Sequence, residues 1–328
     1  MNKCHYFGPF KLYIQEFIEF KQSLGYKYLS EAKHLKRFDT FTIENYSSSK
    51  HLSKDIVMDW CTKKSYEKQE NLCSRASIIR QFGKYLDNIG LDTYILPKNY
   101  FKSGEPYVPH IYTEDELKRF FHGTDKCKYS SQSPYRHLIM PVLFRMIYTC
   151  GLRISEARLL KVEDVDLANG ILTINNSKKD NSRLVTMTDE MTERCREFSK
   201  QVHLHSSKEN YYFPMIENRP MTLGNIYKNF RKFLWNAGIS HGGRGSGPRI
   251  HDFRHSFAVH CLKKWSTQGK DLMVYLPILR VYLGHDSFAE TAYYLRLTAD
   301  VFPEITLKLE TVYSDLIPKL AGDTYESN

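Results

Sequence analysis

The 328 residues suffice for two domains of ordinary size, and a hydrophobic content of 41% excludes a globally disordered chain. Lys and Arg outnumber Asp and Glu by 47 to 37, a formal charge of +10, which suits a polyanionic partner, nucleic acid first. Seven scattered cysteines without a CxxC pair, no signal peptide and no apolar run of membrane-spanning length point to reduced thiols in the cytoplasm, without a disulfide framework or a Cys-based zinc site.

Residues 8 to about 95 read as helical. Phe10, Tyr13, Phe17, Phe20 and Leu24 recur at helical spacing. Ser30 is placed to cap a second helix carrying Ala32, Leu35 and Phe38, and Ser53 to cap a third carrying Ile56, Val57 and Trp60. Arg75–Ile89 makes a fourth. Lys33, Lys36, Arg37, Arg80 and Lys84 lie between the apolar positions. Each alone reads as part of a solvated face; together they are candidates for gripping a DNA backbone. Pro97, Pro106 and Pro109 mark a linker or crossover, which divides the chain into domains at 8–105 and 106–328.

The second domain is expected to mix helix with a little strand. Thr113–Glu116 reads as a capping box. Tyr135–Cys150 is strongly apolar and stops at Gly151, with Pro141 inside it. Gly170–Ile174 and Leu184–Met187 are β-rich and flank the polar stretch Asn175–Arg183, the pattern of a hairpin with an exposed tip. Asn225–Trp235 reads as a helix closed by Gly238, and Pro277 as the start of a short helix ending at Leu283-Gly284-His285. Ser287 and Glu290 form a second candidate capping box. The expected fold class is mainly α with a small β-hairpin or sheet.

Five segments hold chemistry-bearing residues. Arg153 follows Gly151-Leu152 and precedes a new helix, which aims it at a cleft; alone it reads as a surface arginine paired with Glu156. Lys178 and Lys179 sit on the hairpin tip, where the ordinary reading is solvated chain. His251 and Arg254 are three apart and share a helix face. His251 and His255 are four apart, but the glutamate of a metalloprotease helix is missing and Arg254 would stand beside the metal, so no zinc site is expected; His255 reads as a structural hydrogen-bonding residue. His285 and the pair Tyr293-Tyr294 complete the set.

Together these residues have one economical chemical meaning. Two arginines match the non-bridging oxygens of a phosphodiester and stabilise the charge that grows in the transition state. A tyrosine supplies an attacking oxygen, a lysine a proton for the leaving hydroxyl, and histidines a proton acceptor and a phosphate contact. No carboxylate cluster is present for two metal ions, so no metal or other cofactor is expected.

The order Arg153, Lys178, His251-Asp252-Phe253-Arg254-His255, Leu283-Gly284-His285 and Tyr294 resembles the tyrosine recombinase, or phage integrase, family, over about residues 110–300. The N-terminal helices are similar to the family's core-site-binding, SAM-like domain only in length, helicity and basic character. The resemblance implies a two-domain C-shaped clamp on double-stranded DNA and transesterification through a 3′-phosphotyrosine, without ATP. It implies phosphate binding by Arg153 and Arg254, a general acid at Lys178, a base or proton-sharing group at His251, a phosphate contact at His285, an acidic support at Glu156 and the nucleophile at Tyr294, nine residues after His285. Tyr293 is then expected on the packing side.

The family also implies a homotetramer on two DNA sites, with residues 302–320 packed into a neighbouring protomer; accessory DNA-bending proteins and other recombinases are further partners it leaves open. Leu295-Arg296 replaces the frequent x-His after the nucleophile, and Trp265–Leu276 lengthens the gap before Leu283. These departures and the ending through Phe302-Pro303-Glu304 look more like recombinases of bacterial transposons and other mobile elements than chromosome-dimer resolvases. Competing expectations are a type IB topoisomerase-like strand transferase, a DNA-binding regulator of the same fold without catalysis, and a zinc nuclease using His251 and His255.

Overall fold

The structure, a computed structural model, describes residues 5–102, 104, 107–176, 181–243 and 247–302. The chain divides into two compact units, residues 1–107 and 108–328. No helix among the described residues is long and apolar enough to cross a membrane.

The first unit holds α1 (Lys11–Ser23), α2 (Leu29–Asn45), α3 (Lys54–Trp60) and α4 (Gln69–Asn88). Their apolar stripes meet in an aromatic core in which Phe38 packs against Phe10, Trp60 and Phe82. Ser53 caps α3 by accepting the Ile56 N–H, as its position before the apolar run dictates. Ser30, by contrast, lies inside α2. The residue before that helix is Tyr28, in the left-handed conformation at φ 48°, with its ring edge-on to Phe17 at 5.5 Å. Helix α4 starts at Gln69, earlier than the apolar periodicity alone marks, because its first turn carries polar residues.

The second unit comprises α5 (Glu114–Asp125), α6 (Arg136–Thr149), α7 (Ile154–Leu159), β1 (Val165–Asp166), β2 (Ile171–Asn176), β3 (Asn181–Thr186), α8 (Asp189–Val202), α9 (Leu223–Asn236), α10 (Asp252–Thr267), α11 (Leu272–Leu283) and α12 (Phe288–Val301). The architecture is mainly helical with one small sheet. Thr113 and Glu116 form a complete capping box on α5. Helix α6 runs through Pro141 and buries Ile139, Leu143, Phe144 and Ile147 among others. Strands β1, β2 and β3 make an antiparallel sheet in that order, with β2 and β3 paired from Ile171↔Thr186 to Asn176↔Asn181. Leu172, Ile174 and Val185 point into the core.

Two local expectations fail here. Pro277 lies within α11, not at its start; Asp271 is the cap and accepts the Met273 N–H. Packing of Leu272, Leu276 and Leu279 into the core compensates the hydrogen bond that proline cannot donate. Ser287 precedes α12 but makes no side-chain cap bond, so Ser287 and Glu290 do not form a capping box.

Candidate active site

Two chain reversals and one helix start bring the site together. Gly151, at φ +60°, turns the chain out of α6 into α7. Arg153 stands immediately before α7, with its own backbone N–H donated to the Glu156 carboxylate at 2.8 Å. Gly284, at φ +64°, ends α11 and exposes the carbonyls of the turn. His251 stands at the start of α10, one position ahead of the helix.

Arg254 is 1% exposed. Its Nη1 donates to the Gly151 carbonyl at 2.8 Å and its Nη2 to the Leu283 carbonyl at 2.6 Å, so the two turns are tied to one guanidinium. Burial, then the charge of Arg153, lowers its pKa to about 10; it stays cationic at neutral pH. Arg153 donates from Nη1 to Glu156 at 2.9 Å and from Nη2 to the Gly284 carbonyl at 3.1 Å. Each arginine uses two of its five N–H donors in these bonds.

Glu156 is the carboxylate that the ion pairs among the described residues set against these arginines. Arg183 meets it with two parallel bonds, 3.0 Å to Oε1 and 2.8 Å to Oε2, and Arg254 lies 3.9 Å away. Burial works to raise the Glu156 pKa, but the Arg183 hydrogen bonds and charge, the Arg153 N–H and Arg254 outweigh it and hold the group at about 2. A cleft of about 570 Å³ opens beside these residues, lined among others by Arg153, Glu156, Lys161, Asn175, Gly284 and Asp286.

The histidines gather on the tyrosine side. His285 Nδ1 bonds the Thr291 hydroxyl at 2.9 Å. His251 and His255 are edge to face at 4.7 Å, and His255 lies 5.5 Å from the Tyr294 ring. His251 is at an exposed edge of the unit, yet its neighbours crowd it: loss of water, then Arg254 and Arg153, lower its pKa to about 4. The same causes, burial first, bring His285 to about 4. Burial, His251 and Arg254 bring His255 to about 3. All three are therefore neutral at pH 7. His255 Nδ1 is buried without a hydrogen-bond partner among the described residues. No group of three or more metal-ligating side chains occurs among the described residues.

The adjacent tyrosines divide in the opposite sense to expectation. Tyr294 is 3% exposed and Tyr293 40%. The inner face of α12 is the face that meets the histidines and Arg254, so the residue aimed at the site is also the one packed in the core. Burial raises the Tyr294 pKa, opposed by the charge and hydrogen bonding of Arg254.

The structure thus brings together Arg153, Glu156, His251, Arg254, His285 and Tyr294. Lys178 and Lys179 lie outside the described residues, as do the C-terminal residues 303–328. Of the basic residues in the first unit, Lys33, Arg37 and Lys84 are exposed. Lys36 is half-buried and paired with Asp39 at 3.2 Å, and Arg80 donates from Nε to the Leu96 carbonyl at 2.9 Å. Sequence reasoning missed Arg183 and Thr291. Arg183 looks like one more polar residue of a hairpin; its one sequence signal is that it alternates with Val185, which shares its strand face.

The phage integrase family matches residues 111–300, more than half of the chain. The chain belongs to this family, that of the tyrosine recombinases. A Sinorhizobium fredii protein, y4rB, named for an integrase/recombinase, is 28% identical over 317 residues, covering 94% of this chain and 99% of that protein. A tyrosine recombinase of Pseudothermotoga lettingae is 25% identical, covering 80% and 84%. Among solved structures, XerH site-specific recombinase bound to a palindromic difH substrate after cleavage is similar at a TM-score of 0.63 and 21% identity, covering 85% of this chain and 79% of that one. The Tn1549 transposon integrase with transposon right-end DNA is similar at a TM-score of 0.59 and 15% identity, covering 92% and 99%.

Proposed function

We propose that this protein is a site-specific DNA recombinase that cuts and rejoins strands through a 3′-phosphotyrosine at Tyr294, in the service of a mobile element. The observation that carries the reading is the placement of Tyr294 against His285 and His255, within reach of the charge of Arg254 and Arg153. The tyrosine oxygen attacks the scissile phosphorus, and the bond to the 5′-oxygen breaks. Arg153 and Arg254 hold the non-bridging oxygens, with His285 as a further donor. Lys178 protonates the departing 5′-oxygen. The tyrosine proton passes to His251, which is neutral in the free protein and becomes more basic when the phosphate anion enters beside it. A 5′-hydroxyl of a second duplex then attacks the phosphotyrosine, so the bond energy is conserved and no ATP is used.

Double-stranded DNA is the proposed substrate, bound by both units, with four copies on two sites. The similarity to the integrase/recombinase y4rB over 94% of this chain supports the recombinase reading, and Leu295-Arg296 in place of the frequent x-His after the nucleophile motivates the mobile-element assignment. The test is a nicked suicide duplex that traps the covalent adduct. Tyr294→Phe is expected to abolish the adduct and keep DNA affinity, while Tyr293→Phe still forms it. An adduct mapped to Tyr293 by peptide sequencing would overturn the assignment of the nucleophile.

A further inference from the structure

Strand β3 presents its side chains in an order that hydrophobicity alone would reverse. Leu184 is 64% exposed, while the Arg183 side chain is 10% exposed. Arg183 pairs with Ile174, two positions from the pair Leu172↔Val185, and Leu172, Ile174 and Val185 are all buried. The pleat therefore sends Arg183 to the core face of the sheet. Burying a guanidinium costs several kcal/mol, on the order expected for a desolvated ion, unless it is well paired.

Its side-chain hydrogen bonds among the described residues join it to Glu156 and to the turn that carries His285. Nη1 and Nη2 take both oxygens of Glu156, and Nε donates to the Tyr282 carbonyl at 2.8 Å. The guanidinium also packs on Gly284: a Cβ there would lie 2.9 Å from Nη1 and 3.1 Å from Cδ and Cζ. Arg183 thus joins the sheet, the carboxylate that holds Arg153, and the turn that carries His285.

The charges show why this matters. Arg153, Arg183 and Arg254 share the Glu156 carboxylate, three positive charges on one negative. Glu156 has a finite set of acceptor positions, and Arg183 fills one on each oxygen in the fork geometry that suits a carboxylate. With Arg183 absent, Glu156 is left with Arg153 and, 3.9 Å away, Arg254. Its full negative charge then falls on the two groups that are to bind the phosphate.

We infer that Arg183 is a positioning residue that occupies Glu156, so that Arg153 and Arg254 remain free to stabilise the scissile phosphate. This rests on the proposed phosphotyrosine reaction and adds to it a residue that does not itself touch the DNA.

The experiment is single-turnover adduct formation by the full chain on a suicide duplex, with an ordinary phosphodiester or a neutral methylphosphonate at the cleavage position. Arg183→Met is expected to slow cleavage of the phosphodiester about 10²-fold, the loss associated with a small misplacement of catalytic groups. It is expected to slow the methylphosphonate much less, because an uncharged linkage needs less positive charge and is not repelled by Glu156. Adding Glu156→Gln to Arg183→Met removes the stranded charge and is expected to recover at least about tenfold on the phosphodiester. Arg183→Gln, which keeps a polar group on the core face, takes the place of Arg183→Met if urea unfolding shows that variant to be unfolded.

Equal losses on the two linkages overturn the proposal, as does a double variant no faster than Arg183→Met. Failure of the unaltered chain to form an adduct would instead fault the proposed reaction. The same comparisons are then read from DNA affinity in a Tyr294→Phe background. There Arg183→Met is expected to shift preference toward the methylphosphonate duplex, and an unchanged preference overturns the inference.

Discussion

His285 and Tyr294 lie ring against ring, with centroids 5.7 Å apart and planes 14° from parallel. Thr291, on the turn of α12 before Tyr294, holds the imidazole by its Nδ1 at 2.9 Å and is itself buried. That bond sets the tilt of the ring, and the proposed reaction uses the other nitrogen, Nε2, for a phosphate oxygen. Thr291→Val keeps the volume and removes the bond. It is expected to slow cleavage between about tenfold and 10²-fold, as a loss of alignment does, with DNA affinity unchanged. Single-turnover cleavage measured beside a binding isotherm checks this, and a matched loss in both would point to a folding defect instead.

Lys178 is proposed to protonate the leaving 5′-oxygen. Lys178→Ala should slow cleavage of an ordinary duplex by about 10²- to 10⁴-fold, the usual contribution of general acid catalysis. A 5′-bridging phosphorothiolate departs as a stable thiolate and needs no acid, so it should restore most of the rate. Equal loss on both substrates would make Lys178 a phosphate contact, and Lys179→Ala is the parallel control.

Gly151 has to be glycine on two counts. Its φ of +60° is costly for any residue with a Cβ, and a Cβ there would lie 2.6 Å from Phe257 Cδ1. Gly151→Ala is expected to destabilise the protein by about 1–2 kcal/mol from the left-handed backbone, and by about 1–3 kcal/mol more from overpacking. Its carbonyl is also an anchor of Arg254, so activity should fall by more than the unfolded fraction explains. Urea unfolding and cleavage measured on the same preparation separate the two effects.

The neutral histidine cluster makes stability depend on pH in a definite direction. Half-buried beside Arg254, His255 and His285 are pushed down to about 3 and about 4, against 6.5 for a free histidine. Below pH 6.5 the unfolded chain takes up protons that the folded chain refuses, so it binds more protons and stability falls as pH falls. This contribution is fully present above pH 6.5 and is lost progressively toward pH 4. Urea unfolding of the full chain across this window should show the decline, and His255→Leu should reduce its slope. A flat profile would contradict the partial burial of His255 and His285.

Much of the chain was legible from local signals. Ser53 and the Thr113–Glu116 box act within one helical turn, so their role follows from residues a few positions apart. The glycines after α6 and α11 likewise mark where the backbone must turn left-handed. The order of arginine, histidine and tyrosine segments pointed to one chemistry because few reactions need all of them. What tertiary structure alone decided is which way side chains face once elements pack. Tyr294 is buried and Tyr293 exposed because α12 turns its inner face to Arg254 and the histidines, a choice that neighbouring residues of equal hydrophobicity cannot signal. Pro277 sits within α11 because core packing of that helix outweighs one missing hydrogen bond. Arg183 escaped notice for the same reason: the partner that justifies burying its charge, Glu156, is 27 residues away, and only the pairing of β3 with β2 sets it on the core face.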